Sequence, residues 1–279
     1  MKRILLPYDF SKVSEYALDF ACQIASKAKS EIMLLNVIEQ PTEDSFKTMG
    51  MQNVDPMEAL YIKRMYEKIQ SKLADVISSA DYSNISSKIQ LGNPFNTILD
   101  HILCEKVSLL VVGTEGSNGL GTFLAGSNTQ KIVRRASCPV ITLQDKYELD
   151  PIEKIVFASD FQHTDHEFVA KLKDFQQTFE AQLNIVKINT PASFASTRHD
   201  KKQMKGFVDK YLLNNYTIDI YNYKNEEDGI IHYADDIGAD MIALGTHQRK
   251  GVGHFLSGSI AEDVVNHSRF PVWTSHLNS

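Results

Sequence analysis

The chain has 279 residues, 43% hydrophobic and 23% charged, the proportions of a folded globular protein and not of a disordered one. Its net charge of -6 excludes a broad nucleic-acid surface, which needs clustered lysine and arginine to displace phosphate counterions. Three scattered cysteines, Cys22, Cys104 and Cys138, form no CxxC pair. They suggest neither a disulfide framework nor a zinc finger, and are expected as small buried apolar residues.

In chain order, residues 4–6 form a short apolar strand that ends on Pro7 and Asp9. That run is far too short for a signal peptide or a membrane span, so no membrane partner and a cytoplasmic location are expected. Asp9, Ser11 and Ser14 are helix-start residues. Ala17, Leu18, Ala21, Ile24, Ala25 and Ala28 follow at helical spacing. Residues 32–38 are almost continuously apolar, as suits a parallel strand covered on both faces. Residues 41–56 read as a polar loop. Residues 57–77 read as a long helix with Leu60, Met65, Ile69, Leu73 and Val76 near one side. A third strand is expected over 85–91. A helix then opens at Pro94 and buries Ile98, Ile102 and Leu103. A fourth strand over 109–112, a helix over 129–135 and a fifth strand over 140–143 complete the pattern. This alternation predicts a doubly wound, Rossmann-like parallel sheet with right-handed crossovers. Ligands of such sheets bind beyond the carboxyl ends of the strands, where the strand order switches. Asp9 and Gly113 share that crevice if strands one and four are neighbours.

The pattern occurs twice. Residues 4–10 (ILLPYDF) return as 155–161 (IVFASDF). Val112-Gly113-Thr114 returns as Leu244-Gly245-Thr246, Gly126-Ser127 as Gly258-Ser259, and Cys138-Pro139-Val140 as Phe270-Pro271-Val272. The order is the same in both halves, which makes duplication the simplest account. The polar run 144–151 ends in Asp150-Pro151 and marks the boundary. Two domains, 1–145 and 152–279, are therefore expected, each a five-stranded doubly wound parallel sheet.

After the fourth strand comes GTEGSNGLGTFLAGS, residues 113–127. Its glycines let a backbone approach a ligand closely, and the helix that follows offers free N–H groups to phosphate. Gly121 to Ser127 has Walker-like spacing but lacks the lysine, and the turn after the first strand has no glycine for a dinucleotide fingerprint. An ordinary glycine-rich surface loop is the alternative reading.

With these residues in place, the chain resembles a tandem universal stress protein, two such domains fused. The family's nucleotide signature G-x2-G-x9-G-[ST] is met by Gly113, Gly116, Gly126 and Ser127. Residues 4–11, 34–37 and 138–140 are similar to the family's first, second and final strands. The resemblance implies an adenine nucleotide alpha hydrolase-like fold and an ATP-binding stress-response protein, with ATP, and Mg²⁺ beside it, as the cofactor. It implies that Asp9 contacts the ribose and that Pro7 and Val37 line the adenine pocket. Gly113, Thr114 and Gly116 would wrap the ligand, and Gly126, Ser127 and the Asn128 backbone would hold phosphates. It also implies that strands 140–143 and 272–274 pair within the chain as a pseudo-dimer; further pairing into a homodimer is left open.

The second half departs from this signature. Gln248 replaces the second glycine, Ala158 and Ser159 replace Pro7 and Tyr8, and His247, Arg249 and Lys250 crowd the loop. Weaker nucleotide binding, or none, is expected there, with an anion beside Arg249 and Lys250 as one use and a solvated basic loop as the other. His163 with His166, and His247 with His254, have no third and fourth ligand at metal-binding spacing, so no metal site is assigned. No catalytic residue is assigned either. A slow ATPase, with Glu115 or Asp9 positioning water, and an interaction module with vestigial sites are the competing functions.

Overall fold

Short apolar runs separated by capped helices set the architecture. The computed structural model describes residues 1–39, 56–114, 127–147, 152–162, 165–247 and 257–277. In the first half the strands are β1 (Arg3–Pro7), β2 (Glu31–Ile38), β3 (Ile85–Leu91), β4 (Leu109–Gly113) and β5 (Val140–Leu143). Helices α1 (Lys12–Ala28), α2 (Pro56–Ser79), α3 (Pro94–Cys104) and α4 (Ser127–Arg135) connect them. The second half repeats the order with β6 (Lys154–Ala158), α5 (His166–Phe179), β7 (Gln182–Asn189), α6 (Thr197–Tyr211) and β8 (Tyr216–Asn222). It ends with α7 (Glu226–Ile237), β9 (Met241–His247), α8 (Ser257–His267) and β10 (Val272–Leu277).

Helix starts follow the side-chain chemistry. Ser11 caps α1 by accepting from the Ser14 N–H, Asn93 caps α3 just before Pro94, and Asp165, Ser196 and Asn225 cap α5, α6 and α7. The expected polar loop over 41–55 lies outside the described residues; Pro56 itself opens α2.

The strands form one ten-stranded sheet in the order β3-β2-β1-β4-β5-β10-β9-β6-β7-β8. Each half is a parallel 3-2-1-4-5 sheet, so β1 and β4 are neighbours, with Ile4 beside Leu109 and Leu5 beside Leu110. The condition for Asp9 and Gly113 to share a crevice, that the first and fourth strands be neighbours, is therefore met. The halves join where β5 and β10 run antiparallel, Val272 opposite Thr142, Trp273 opposite Ile141 and Thr274 opposite Val140. The expected intrachain pairing of the final strands is what the fold shows. Strands β3 and β8, none of whose residues is buried, form the two outer edges.

Alternation along each strand splits the core by face. Ile4, Leu6, Leu34 and Val111 pack on the α1 side, in a cluster that runs on into Phe157, Phe168, Phe207 and Trp273 of the second half. Leu5, Leu35, Val37 and Val112 pack on the opposite side against Ile98 and Ile102 of α3 and Ile132 and Val133 of α4. Three expectations need correction. Leu103 is 66% exposed, because Ile98 and Ile102, one turn apart, take the buried face and the next residue points away. Leu60 is exposed as well: α2 packs through Ile69, Leu73 and Val76 of its C-terminal half, and Met57, Leu60, Tyr61 and Tyr66 lie beyond the sheet. Cys104, at the end of α3, is exposed, whereas Cys22 and Cys138 are buried.

One ion pair ties the halves beyond the strand seam. Arg134 of α4 donates two hydrogen bonds to the carboxylate of Glu262 of α8, which is only 7% exposed. Gln144 adds a bond from Nε2 to the Val265 carbonyl, at 2.7 Å. Arg134→Ala strands a buried carboxylate, so unfolding stability should fall by about 1–3 kcal/mol, read from the urea midpoint. A double Arg134→Gln, Glu262→Gln variant should recover most of that loss. Burial also pushes the Cys22 thiol up to about 11 and the Cys138 thiol up to about 12. A higher pKa leaves less reactive thiolate at a given pH. Alkylation of the native protein at pH 8 should therefore mark Cys104 first, with one adduct by mass spectrometry until the protein is unfolded.

Candidate functional site

The carboxyl ends of β1, β2 and β4 converge in the first half, and the local chain there is held tightly. The Tyr8 N–H donates to the Leu35 carbonyl at 2.9 Å, extending β1 by one residue. The Tyr8 carbonyl accepts from Nδ2 of the buried Asn36 at 2.7 Å. Tyr8 is 3% exposed, and its phenol is pushed up to about 12, chiefly by burial and then by Glu15, Asp19 and Asp9. It stays a neutral anchor. Phe10 then takes a left-handed backbone, φ 65°, which non-glycine residues seldom adopt. This kink sets Asp9 at the strand end.

One oxygen of Asp9 is already committed. Oδ1 accepts from the Ser11 N–H at 3.0 Å and from Ser11 Oγ at 2.5 Å. Among the described residues, Oδ2 has no hydrogen-bond partner. The turn thus fixes the carboxylate by one oxygen and leaves the other as an acceptor at the mouth of the crevice.

Pro7 and Val37 lie on the sheet face that α3 and α4 cover, by strand alternation from Leu5 and Leu35. Both are buried. Ser127 and Asn128 are the first two residues of α4 on that same face, where backbone N–H groups have no intrahelical acceptor. Gly116 and Gly126 lie outside the described residues. Thr114 is buried, and its N–H is used by the Leu143 carbonyl at 2.8 Å.

Gly113 has a different reason to be glycine from the one the loop suggested. It faces α1, and a Cβ there would sit 2.2 Å from the Val13 carbonyl oxygen. Close packing of helix on strand requires it, whatever the loop binds. At the counterpart Gly245 a Cβ would lie 2.6 Å from Cδ1 of Leu277, a side-chain end that can shift. Backbone packing therefore demands the first glycine and not the second.

The second half keeps the acid turn. The Gln162 N–H donates to Asp160 Oδ1 at 3.0 Å, as Ser11 does to Asp9, and Phe161 repeats the left-handed kink with φ 57°. Its equivalent of Asn36 is Lys187, whose Nζ lies 2.5 Å from Oδ1 of the fully buried Asp200 on α6. A cavity of about 400 Å³ opens over these strand ends. Sequence reading singled out neither Asn36 nor Lys187. The one signal was a polar residue at the same place in both second strands, Asn36 and Lys187, each between apolar neighbours. Gln248, Arg249, Lys250, His163 and His254 lie outside the described residues. His166 is described and packs its ring 5.0 Å from that of Tyr211. Among the described residues, no cluster of three or more His, Cys, Asp or Glu could hold a metal ion, and no helix is long and apolar enough to cross a membrane.

Two Rossmann-like halves, each with an acid turn and a helix start at the crest of its sheet, define a duplicated α/β protein. The sequence model of the universal stress protein family matches residues 1–144 and again 151–276, and the chain belongs to that family. It is 26% identical over 144 residues to a protein named as a universal stress protein in Staphylococcus haemolyticus, covering 51% of this chain and 84% of the relative. The whole two-half fold is similar to a universal stress protein structure from Archaeoglobus fulgidus, with TM-score 0.74, 19% identity and 98% of each chain covered. A structure from Pseudomonas aeruginosa, described as a universal stress protein, has TM-score 0.62 and 18% identity over 99% of this chain and 94% of its own.

Gly113→Ala should test the packing account. A methyl pressed on the Val13 backbone should lower stability by about 2 kcal/mol or more, shown by the thermal or urea midpoint with no nucleotide present. Unchanged stability would mean that the glycine serves the loop alone.

Proposed function

We propose that the first half binds ATP, with Mg²⁺ on the phosphates, in the crevice at the ends of β1, β2 and β4, and that this binding is the basis of a regulatory role in stress response. The observation that carries the reading is Asp9, whose Oδ1 is fixed by Ser11 while Oδ2 has no partner among the described residues. A carboxylate so placed suits the vicinal hydroxyls of a ribose. Pro7 and Val37 offer a buried apolar wall on the face where α4 begins, as a flat base needs. The first turn of α4 supplies backbone N–H donors and the positive end of a helix dipole to the phosphates. Gly116, Gly126 and Ser127 complete the signature in the sequence.

Nucleotide released on denaturing the purified protein, identified by chromatography, tests the reading directly. An empty protein with no thermal shift from ATP and Mg²⁺ would refute it. Asp9→Ala should weaken ATP by about tenfold or more in calorimetry, as loss of a charged hydrogen bond does. Gly116→Gln, which copies Gln248, should weaken it too.

A further inference from the structure

The second half contains the cavity that the first-half reading does not use. Its lining joins an aromatic wall, Phe157, Phe168 and Phe207, to three carboxylates, Asp160, Asp165 and Glu226. Among the described residues, Lys187 is the one Lys or Arg in that lining, and its ammonium is held by Asp200. With that lysine taken up, Glu226 leaves the described lining acidic. This is the reverse of what a polyphosphate requires, since each phosphate charge would meet carboxylates across a partly dehydrated space. Leu277 also fills the space over Gly245 and lines the cavity.

Three separate observations point to an occupant. Glu226 Oε1 accepts from Thr190 Oγ1 and Ser193 Oγ, both at 2.9 Å, but no cation neutralises the carboxylate among the described residues. Phe194, on the rim, is 74% exposed although it is a large aromatic ring. Asp200 is completely buried and holds Lys187, so the one ammonium in the described lining is already neutralised and is not left for Glu226. Cavities near this size hold small organic molecules, which polar groups orient and apolar walls bury.

We infer that the second-half cavity binds a small organic cation, a protonated amine on an aromatic or aliphatic body, with the ammonium at Glu226 and the body against Phe157, Phe168, Phe207 and Phe194. Aromatic faces attract a cation and the carboxylate pairs with it, so both halves of the lining favour one ligand class. The same lining disfavours an anion of equal shape. The two halves would then sense two chemically different ligands, a nucleotide in one and an amine in the other. The inference does not depend on nucleotide binding in the first half.

The test uses the full chain and two probes of similar shape and opposite charge, phenethylamine and 3-phenylpropionate. Trp273 is the only tryptophan, and its ring lies 5.6 Å from that of Phe168, so its fluorescence reports on this cavity. Phenethylamine should saturate the signal with a dissociation constant on the order of 1 mM or tighter, at least about tenfold below that of the carboxylate. Glu226→Gln keeps the acceptor for Thr190 and Ser193 but removes the charge, and should abolish most of that preference. Glu226→Lys should reverse it. Circular dichroism and the unfolding midpoint show whether each variant folds, and the probe pair on the unmutated chain stands without them. Equal affinity for the two probes, preference for the carboxylate, no saturation by the amine, or a preference unchanged in folded Glu226→Gln would each overturn the proposal. ATP binding is read separately by calorimetry, so its failure leaves the amine result intact.

Discussion

The antiparallel pairing of β5 with β10 is the contact on which the rest of the molecule depends. Each half alone would end its parallel sheet on a short, largely buried strand with unpaired backbone groups, an edge that invites aggregation. Joining the two edges satisfies those groups and leaves only the polar strands β3 and β8 at the rims. Threonine hydroxyls reinforce the seam: Thr274 Oγ1 donates to the Val140 carbonyl at 3.2 Å. Trp273, fully buried at the seam, carries the α1-side core into the aromatic cluster of the second half through Phe168 and Phe175. The two sets of strand ends are therefore fixed parts of one sheet.

The seam is approximately twofold, but its chemistry is not. Arg134 and Glu262 make one ion pair, while the positions related to them by the repeat, Asn266 and Gln130, carry no charge. A pairing of two identical first halves would place Arg134 against a glutamine and lose the charge complement. This ion pair favours the joined chain over an exchange of partners, a form of specificity that a buried polar contact supplies better than apolar area does.

The same asymmetry runs through the crevices. Both halves keep an aspartate at the end of the first strand, a left-handed phenylalanine after it, and a glycine at the end of the fourth strand. What differs is the side chain two positions before the end of each second strand. Asn36 turns inward to the Tyr8 carbonyl and braces the acid turn, whereas Lys187 reaches across to Asp200 on α6. One substitution converts a neutral brace into a buried ion pair. Duplication preserved the scaffold while the chemistry over it diverged.

Much of this was legible in the chain itself. The alternating apolar runs and capped helices dictated the strands, the repeat dictated two halves, and the spacing of Gly113, Gly116, Gly126 and Ser127 marked the loop, because these are local or periodic signals. Contacts between distant residues were not legible. Sequence could not show that Gly113 yields space to the Val13 backbone, that Leu103 turns to solvent while Ile102 does not, or that Lys187 finds Asp200. Those outcomes depend on which surfaces packing brings together across the sheet. Local pattern determined the elements and the repeat; only the tertiary structure decided which side chains meet at the crests of the strands, and with them the charge each crevice offers a ligand.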